Sequence, residues 1–326
     1  MKKPFLAAGT LLAVALGVSA PTAVLAQYPD KPVRVIIGFS PGGPTDAIGR
    51  VLFKRVSEAL KVPMVIENRP GAGGNIGAQE LSKSAPDGYT IMYGTSSITT
   101  APPLFSRDDL NPTLIFDAVS CTTDVPLILL ASKKLPVKSA NDLYALIEKH
   151  PGKYFMGTSG NGSIDHLTGM EVADRKSLKV QPVPYKGNGP ALTDLAGGNV
   201  DFMYSGSFNS ARPFLERGDV NALAVTSAKR SAALPDVPTL SESAEGLKGF
   251  SGGTWQAVLA PKGTPQPILD KLDQAVQVAL KDPEVLESLN FQGATVMTLD
   301  RKACQAFIGS EYDRWSSKIK ELNLAQ

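Results

Sequence analysis

Histidine, cysteine and tryptophan are scarce in this 326-residue chain, with two of each. Two histidines, His150 and His166, cannot supply a His-built metal centre, and no metal or other cofactor is expected. No C-x-x-C or H-E-x-x-H occurs, and no paired-carboxylate signature stands out, so the usual redox and zinc-protease chemistries have no foothold. Charge of one sign is also missing: 33 Lys+Arg face 31 Asp+Glu. Nothing here makes the basic surface that nucleic acid or an anionic membrane would attract. Beyond the N-terminus, no apolar run reaches the roughly 20 residues that cross a bilayer.

The N-terminus itself is distinctive. Lys2 and Lys3 precede an apolar stretch from Phe5 to Val18, and Pro21-Thr22-Ala23-Val24-Leu25-Ala26 puts small residues before Gln27. That is the layout of a cleaved secretory signal peptide over residues 1–26. Cleavage would take two lysines and no acid, leaving 31 basic against 31 acidic residues in a 300-residue mature chain. A chain of that size usually forms two domains. Cys121 and Cys304 could pair in an oxidising compartment, but geometry decides that and sequence leaves it open.

Short apolar runs alternate with helical patterns. Val33–Phe39 reads as a buried strand, Ser40–Asp46 as a turn, and Ala47–Leu60 as a helix with Ile48, Val51, Leu52, Val56 and Leu60 on one face. Thr45 or Asp46 suits a helix cap. Strands at 64–67 and 89–93 flank a helix at 76–82, and the same rhythm returns between residues 140 and 226. Helices are expected at 267–281 and 301–322. Alternation of this kind indicates α/β units with mostly parallel sheets.

Two loops between a strand and a helix are rich in glycine and hydroxyls, Phe39 to Asp46 and Thr158 to Ser163, and Gly94 to Ser97, after the strand ending at Tyr93, is a third candidate. Such loops put free N–H groups and a positive helix end beyond the strand C-termini, an arrangement that binds anions. Gly71-Ala72-Gly73-Gly74-Asn75-Ile76-Gly77 invites a dinucleotide reading, but Ile76 breaks the G-x-G-x-x-G spacing and no acid ends a strand about 20 residues on. Ser163 and His166, three apart at a helix start, suit a cap better than a catalytic pair. Phe39, Tyr93, Tyr204, Phe208 and Trp255 fall at expected strand ends, where they could line a cleft or plug a core.

Several segments then match in order: Tyr28–Arg34, Pro41–Asp46, Glu67–Gly77, Ala85–Thr90, Val183–Gly187, Pro190–Leu195, Ala222–Ser227 and Leu234–Thr239. Together they resemble the Bug family, the extracytoplasmic receptors of tripartite tricarboxylate transporters. The resemblance implies a type II, "Venus flytrap" periplasmic binding protein with residues 27–127 plus 254–326 in one lobe and 128–253 in the other. It implies a monomeric periplasmic protein that carries a small carboxylate to two integral-membrane subunits. Its binding segments fall here on Phe39, Ser40, Gly42, Gly43, Thr45 and Asp46, on Thr95 and Ser96, and on Ser159, Gly160, Asn161, Gly162, Ser163 and His166. Asp46 would orient waters or a ligand hydroxyl or amine. Two departures stand out. The second loop begins Thr158-Ser159 where the family often has Ser-Ala, and Asp165 adds an acid beside it. Ser205, Ser207 and Phe208 replace a frequent polar pair, which suggests room for an aromatic dicarboxylate. Two rivals remain: a flytrap that feeds a signalling partner, and a secreted hydrolase using Ser163 and His166.

Overall fold

The computed structural model describes residues 28–325, so the expected signal peptide lies outside the described residues. Val33–Ile37, β1, is a strand with Val33, Val35, Ile36 and Ile37 all buried. It leads to α1 (Pro44–Leu60), β2 (Met64–Asn68), α2 (Asn75–Ser82), β3 (Thr90–Thr95), α3 (Ser97–Leu104), α4 (Pro112–Ile115) and the long β4 (Phe116–Pro126). Then come β5 (Ile128–Ser132), α5 (Ala140–Lys149), β6 (Phe155–Thr158), α6 (Ile164–Arg175), β7 (Gln181–Pro184), α7 (Asn188–Gly197), β8 (Phe202–Ser205), α8 (Phe208–Glu216), β9 (Val220–Val225) and α9 (Leu240–Ser243). The chain closes with β10 (Gly253–Pro261), α10 (Gln266–Ala279), α11 (Pro283–Gln292), β11 (Thr295–Val296) and α12 (Arg301–Glu321).

The strands form two sheets, β11-β4-β10-β3-β1-β2 and β7-β6-β8-β5-β9. In the first, β1 runs parallel to β2 and β3, with Val35 opposite Ile66 and Ile91. In the second, β6 runs parallel to β7 and β8. These are the expected parallel units. The sheets are nonetheless mixed, because β10 lies antiparallel to β3 and β4 while β5 lies antiparallel to β8 and β9. Helices cover both faces of each sheet. On the first, Val35, Leu52, Tyr93 and Leu272 pack on one face and Ile36, Leu81, Trp255 and Ile308 on the other. Separate clusters built on Leu129, Tyr204 and Phe250, and on Leu130, Leu192 and Met203, flank the second.

Two elements start differently from expectation. Helix α1 begins at Pro44 rather than Ala47, capped by Gly43, because proline's fixed φ suits the first helical position. Helix α3 takes in Ser97 of an expected loop and residues 98–104, to which the sequence pattern assigns no element, and Pro102 and Pro103 near its end hide its pattern. Cys121 on β4 and Cys304 on α12 form a disulfide across 183 residues, which settles the question the sequence left open.

The chain passes from one sheet to the other through Leu127 alone, between β4 and β5. It returns from β9 through Thr226 to Gly252. Leu127 and Thr226 exchange backbone and side-chain hydrogen bonds: Leu127 N donates to Thr226 Oγ1 at 2.8 Å, and Thr226 N donates to Leu127 O at 2.9 Å. The Thr226 hydroxyl donates to Gly252 O, and Gly252 N returns a bond to Thr226 O at 3.0 Å. One threonine thus staples both crossings.

The two lobes touch on both sides of these crossings. On one side α12, disulfide-bonded to the first sheet, packs against α6, and Trp315 and Ile319 join Leu104 and Leu167 in one buried cluster. Arg314 pairs with Glu171, and Lys318 Nζ lies 3.0 Å from Asp174 Oδ2. On the other side Asn209 Nδ2 donates to Gln292 Oε1 at 2.7 Å, and Phe208 lies against Gly293. The structure is therefore a closed arrangement of the lobes.

Candidate functional site

Between the lobes lies a cavity of about 380 Å³, within the range typical of small-molecule sites. The first lobe contributes Phe39, Thr45, Gly73, Thr95, Ser96, Ser97, Thr100, Ala101, Leu104, Phe105 and Thr254 to its walls. The second contributes Ser159 to Asp165, Asn188 and Gly206, and the crossing residue Leu127 completes it. All three glycine- and hydroxyl-rich loops thus meet at one space. Three helices, α1, α3 and α6, reach it with their first turns, through Thr45, Ser97 and Ile164. Their unpaired N–H groups and positive dipole ends favour an anion there.

Each loop is held in shape from behind. Asp46 is buried and does not border the cavity. Its Oδ2 accepts from Gly42 N at 2.9 Å and Arg50 Nε at 2.8 Å, and its Oδ1 accepts from Asn68 Nδ2 at 2.9 Å. Burial disfavours its charged form, but Arg50, the Gly42 amide and Asn68 outweigh it and hold the carboxyl down to about 2. Asp46 is therefore committed to the turn instead of facing a ligand or its waters. Gly42 sits at φ +81, a left-handed conformation that glycine adopts without strain. Ser40, Gly42 and Gly43 shape the same turn without bordering the cavity.

The second loop is built alike. Asp165 Oδ2 accepts from Ser159 N at 2.6 Å, and its Oδ1 accepts from the Ser159 hydroxyl. His166 is buried, and its Nδ1 accepts from Gly162 N at 3.0 Å. Burial pushes the imidazole below its ordinary pKa, against an opposing pull from Asp165, so the ring is a neutral acceptor. Ser163 caps α6, donating to Gly160 O at 2.6 Å and accepting from His166 N at 3.4 Å. The Ser163 hydroxyl makes no hydrogen bond to the imidazole, so the nucleophile–base contact of a hydrolase is absent from this pair. Gly162 has φ +72 and lies under Leu104, where a β-carbon would fall 2.5 Å from a Leu104 methyl.

Several neutral donors on the walls have no partner within the described residues. These include the Thr45 and Ser96 hydroxyls and the Asn161 amide. Thr95 Oγ1 donates to Ser97 Oγ at 2.9 Å, which leaves the Ser97 proton to point elsewhere. Among the described wall residues there is no Lys, Arg or His. The only carboxylate, that of Asp165, is already engaged by Ser159. The cavity therefore offers dipoles and hydroxyls to an anion without a fixed counter-charge.

The third region read from sequence lies mostly elsewhere. Ser205 is fully buried with its hydroxyl 3.5 Å from Asn188 Oδ1, Ser207 caps α8, and Phe208 packs on Gly293. Of that turn only Gly206 borders the cavity. Gly206 and Ser207 also border a smaller cavity of about 140 Å³ with Thr45, Thr254, Gln256 and Gln292. Of the five strand-end aromatics, Phe39 lines the cavity, while Tyr93, Tyr204 and Trp255 are buried in the cores. Residues not anticipated as wall include Thr100, Ala101, Leu104 and Phe105 on or beside α3, with Gly73, Leu127, Ile164, Asn188 and Thr254.

Residues 48–324 match the family described as the tripartite tricarboxylate transporter family receptor. The chain is 35% identical over 315 residues to protein BugT of Bordetella pertussis, covering 96% of this chain and 95% of that one. It is similar to a solved R. palustris protein, Rpa4515 with adipate, at TM-score 0.74 and 33% identity, covering 90% of this chain and 97% of that chain. It is also similar to MatC from Rhodopseudomonas palustris with bound malate, at TM-score 0.71 and 32% identity, covering 90% of this chain and all of that one.

Proposed function

We propose, from the premise that this chain belongs to the tripartite tricarboxylate transporter receptor family, that it captures a small carboxylate between its lobes and delivers it to two integral-membrane transporter subunits. Members of the family are substrate-binding proteins rather than enzymes, and a periplasmic location goes with that membership. Among the described residues no helix is long and apolar enough to cross a membrane. The lobe division proposed is 27–127 plus 254–326 against 128–253, with Leu127 and the Thr226–Gly252 staple as the hinge.

The observation that carries this reading is the convergence of three helix N-termini and unpartnered neutral donors on one cavity between the lobes. The ligand would dock on the first lobe at Thr45, Ser96 and Ser97, and the second lobe would close over it with Ser159 to Ser163. Enclosure strengthens each hydrogen bond, so neutral donors suffice to hold a charge. Hydrogen bonds also release cargo more readily than a buried ion pair would, which suits a carrier.

A thermal-shift screen of the mature chain tests this. The panel would hold aliphatic and aromatic mono-, di- and tricarboxylates, with sugars and amines as controls. A carboxylate at about 100 times its Kd adds roughly 2.7 kcal/mol of stability. Asn161→Leu, which removes one donor to the charged group, should weaken that ligand about tenfold or more. Stabilisation by sugars or amines and by no carboxylate would refute the reading.

A further inference from the structure

The walls of the cavity are not uniform along its length. Helix α3 runs beside it, and its cavity face changes character from one end to the other. At the N-terminal end stand Ser96 and Ser97, next to Thr95. One turn on stand Thr100 and Ala101, and the last turn presents Leu104 and Phe105. At 1.5 Å per residue, Ser97 and Leu104 lie about 10 Å apart along the helix axis. The second lobe completes the apolar end, where Ile164 borders the cavity and Leu104 rests on Gly162. Gly73 adds no side chain there, and its backbone lies beside Ala101 and Phe105.

From this gradient we infer the ligand class: a monocarboxylate with an uncharged, apolar body, its carboxylate at Thr95 to Ser97 and its tail against Leu104, Phe105 and Ile164. The inference rests on the carboxylate reading above and narrows it. A second carboxylate on the tail would lie against the side chains of Leu104, Phe105 and Ile164, none of which can donate a hydrogen bond to it. A methyl or phenyl group in the same place gains from burial. The solved relatives with bound malate and with adipate hold dicarboxylates. Leu104, Phe105 and Ile164 become the residues that select by rejecting charge.

Matched pairs that differ only in the second charge test the idea. Titration calorimetry of the mature chain would compare hexanoate with adipate, and benzoate with terephthalate. The monoanion of at least one pair should bind ten or more times tighter than its dianion. Ile164→Gln, at a half-buried position at the start of α6, should weaken that monoanion at least fivefold and leave or improve the dianion, with the melting temperature of the free variant read alongside. Phe105→Gln should act in the same direction. Dianions that bind as tightly as, or tighter than, their partners would overturn the selectivity and leave the carboxylate function standing. Silence toward all four, and toward every other carboxylate, would remove both.

Discussion

At the scale of single residues, the cleft presents some hydroxyls without partners among the described residues, such as those of Thr45 and Ser96, backed by groups that are fully engaged. Asp46 and His166 illustrate the second kind. Both are buried, both accept a hydrogen bond from a loop amide, and neither borders the cavity. Their placement gives a pH dependence with a definite sign. The Asp46 carboxyl is held near 2 in the folded chain against about 4 when unfolded. Its contribution is therefore fully present above pH 4 and is lost as pH falls from about 4 toward 2. Asp46→Asn should cost on the order of 2 kcal/mol in urea melts at pH 7, and roughly half that at pH 3. A difference that stays constant with pH would mean that the three hydrogen bonds do not favour the charged form. The lowered imidazole of His166 works in the same direction at higher pH: it favours folding above the ordinary histidine range, and that support declines as the medium acidifies through it.

At the scale of elements, the legible parts were those with one strong local signal. The three anion-type loops carry glycine and hydroxyl clusters between a buried strand and a periodic helix, and all three meet at the cavity. Helix α12 reads plainly because its apolar positions repeat over 21 residues. Helix α3 does not, since Pro102 and Pro103 mask a pattern in which Ser97, Ala101 and Leu104 share one face. The apolar wall of the site went unseen for that reason. Long strands β4 and β10 pair over nine residues at distant sequence positions, so their antiparallel partnership leaves no local trace. The small residues around Ser205 are harder to read, because small side chains mark close packing between lobes as readily as open space. The disulfide joins two such distant elements, β4 and α12, with both cysteines fully buried. Replacing Cys121 and Cys304 together by alanine should lower the unfolding free energy by about 2–5 kcal/mol, read from chemical denaturation under non-reducing conditions. An unchanged midpoint would show that the core around Trp255 and Ile308 holds α12 without the link.

At the scale of the whole molecule, the fold works as a clamp. Two α/β lobes are joined by two crossings that a single threonine staples, and closure is supported on both flanks, by α12 against α6 and by α8 against α11. Residues such as Leu104 and Gly162 serve as wall and as contact between lobes at once, so the contact that joins the lobes also bounds the cavity. The central claim is that this closure recognises a carboxylate through neutral donors. Titration calorimetry of the mature chain with a carboxylate and, in parallel, with its primary amide tests that claim most directly, because the two ligands share shape and differ in charge. The account predicts saturable binding of the carboxylate and affinity at least a hundredfold lower for the amide. Equal affinity for the two, or binding of the amide alone, would contradict it.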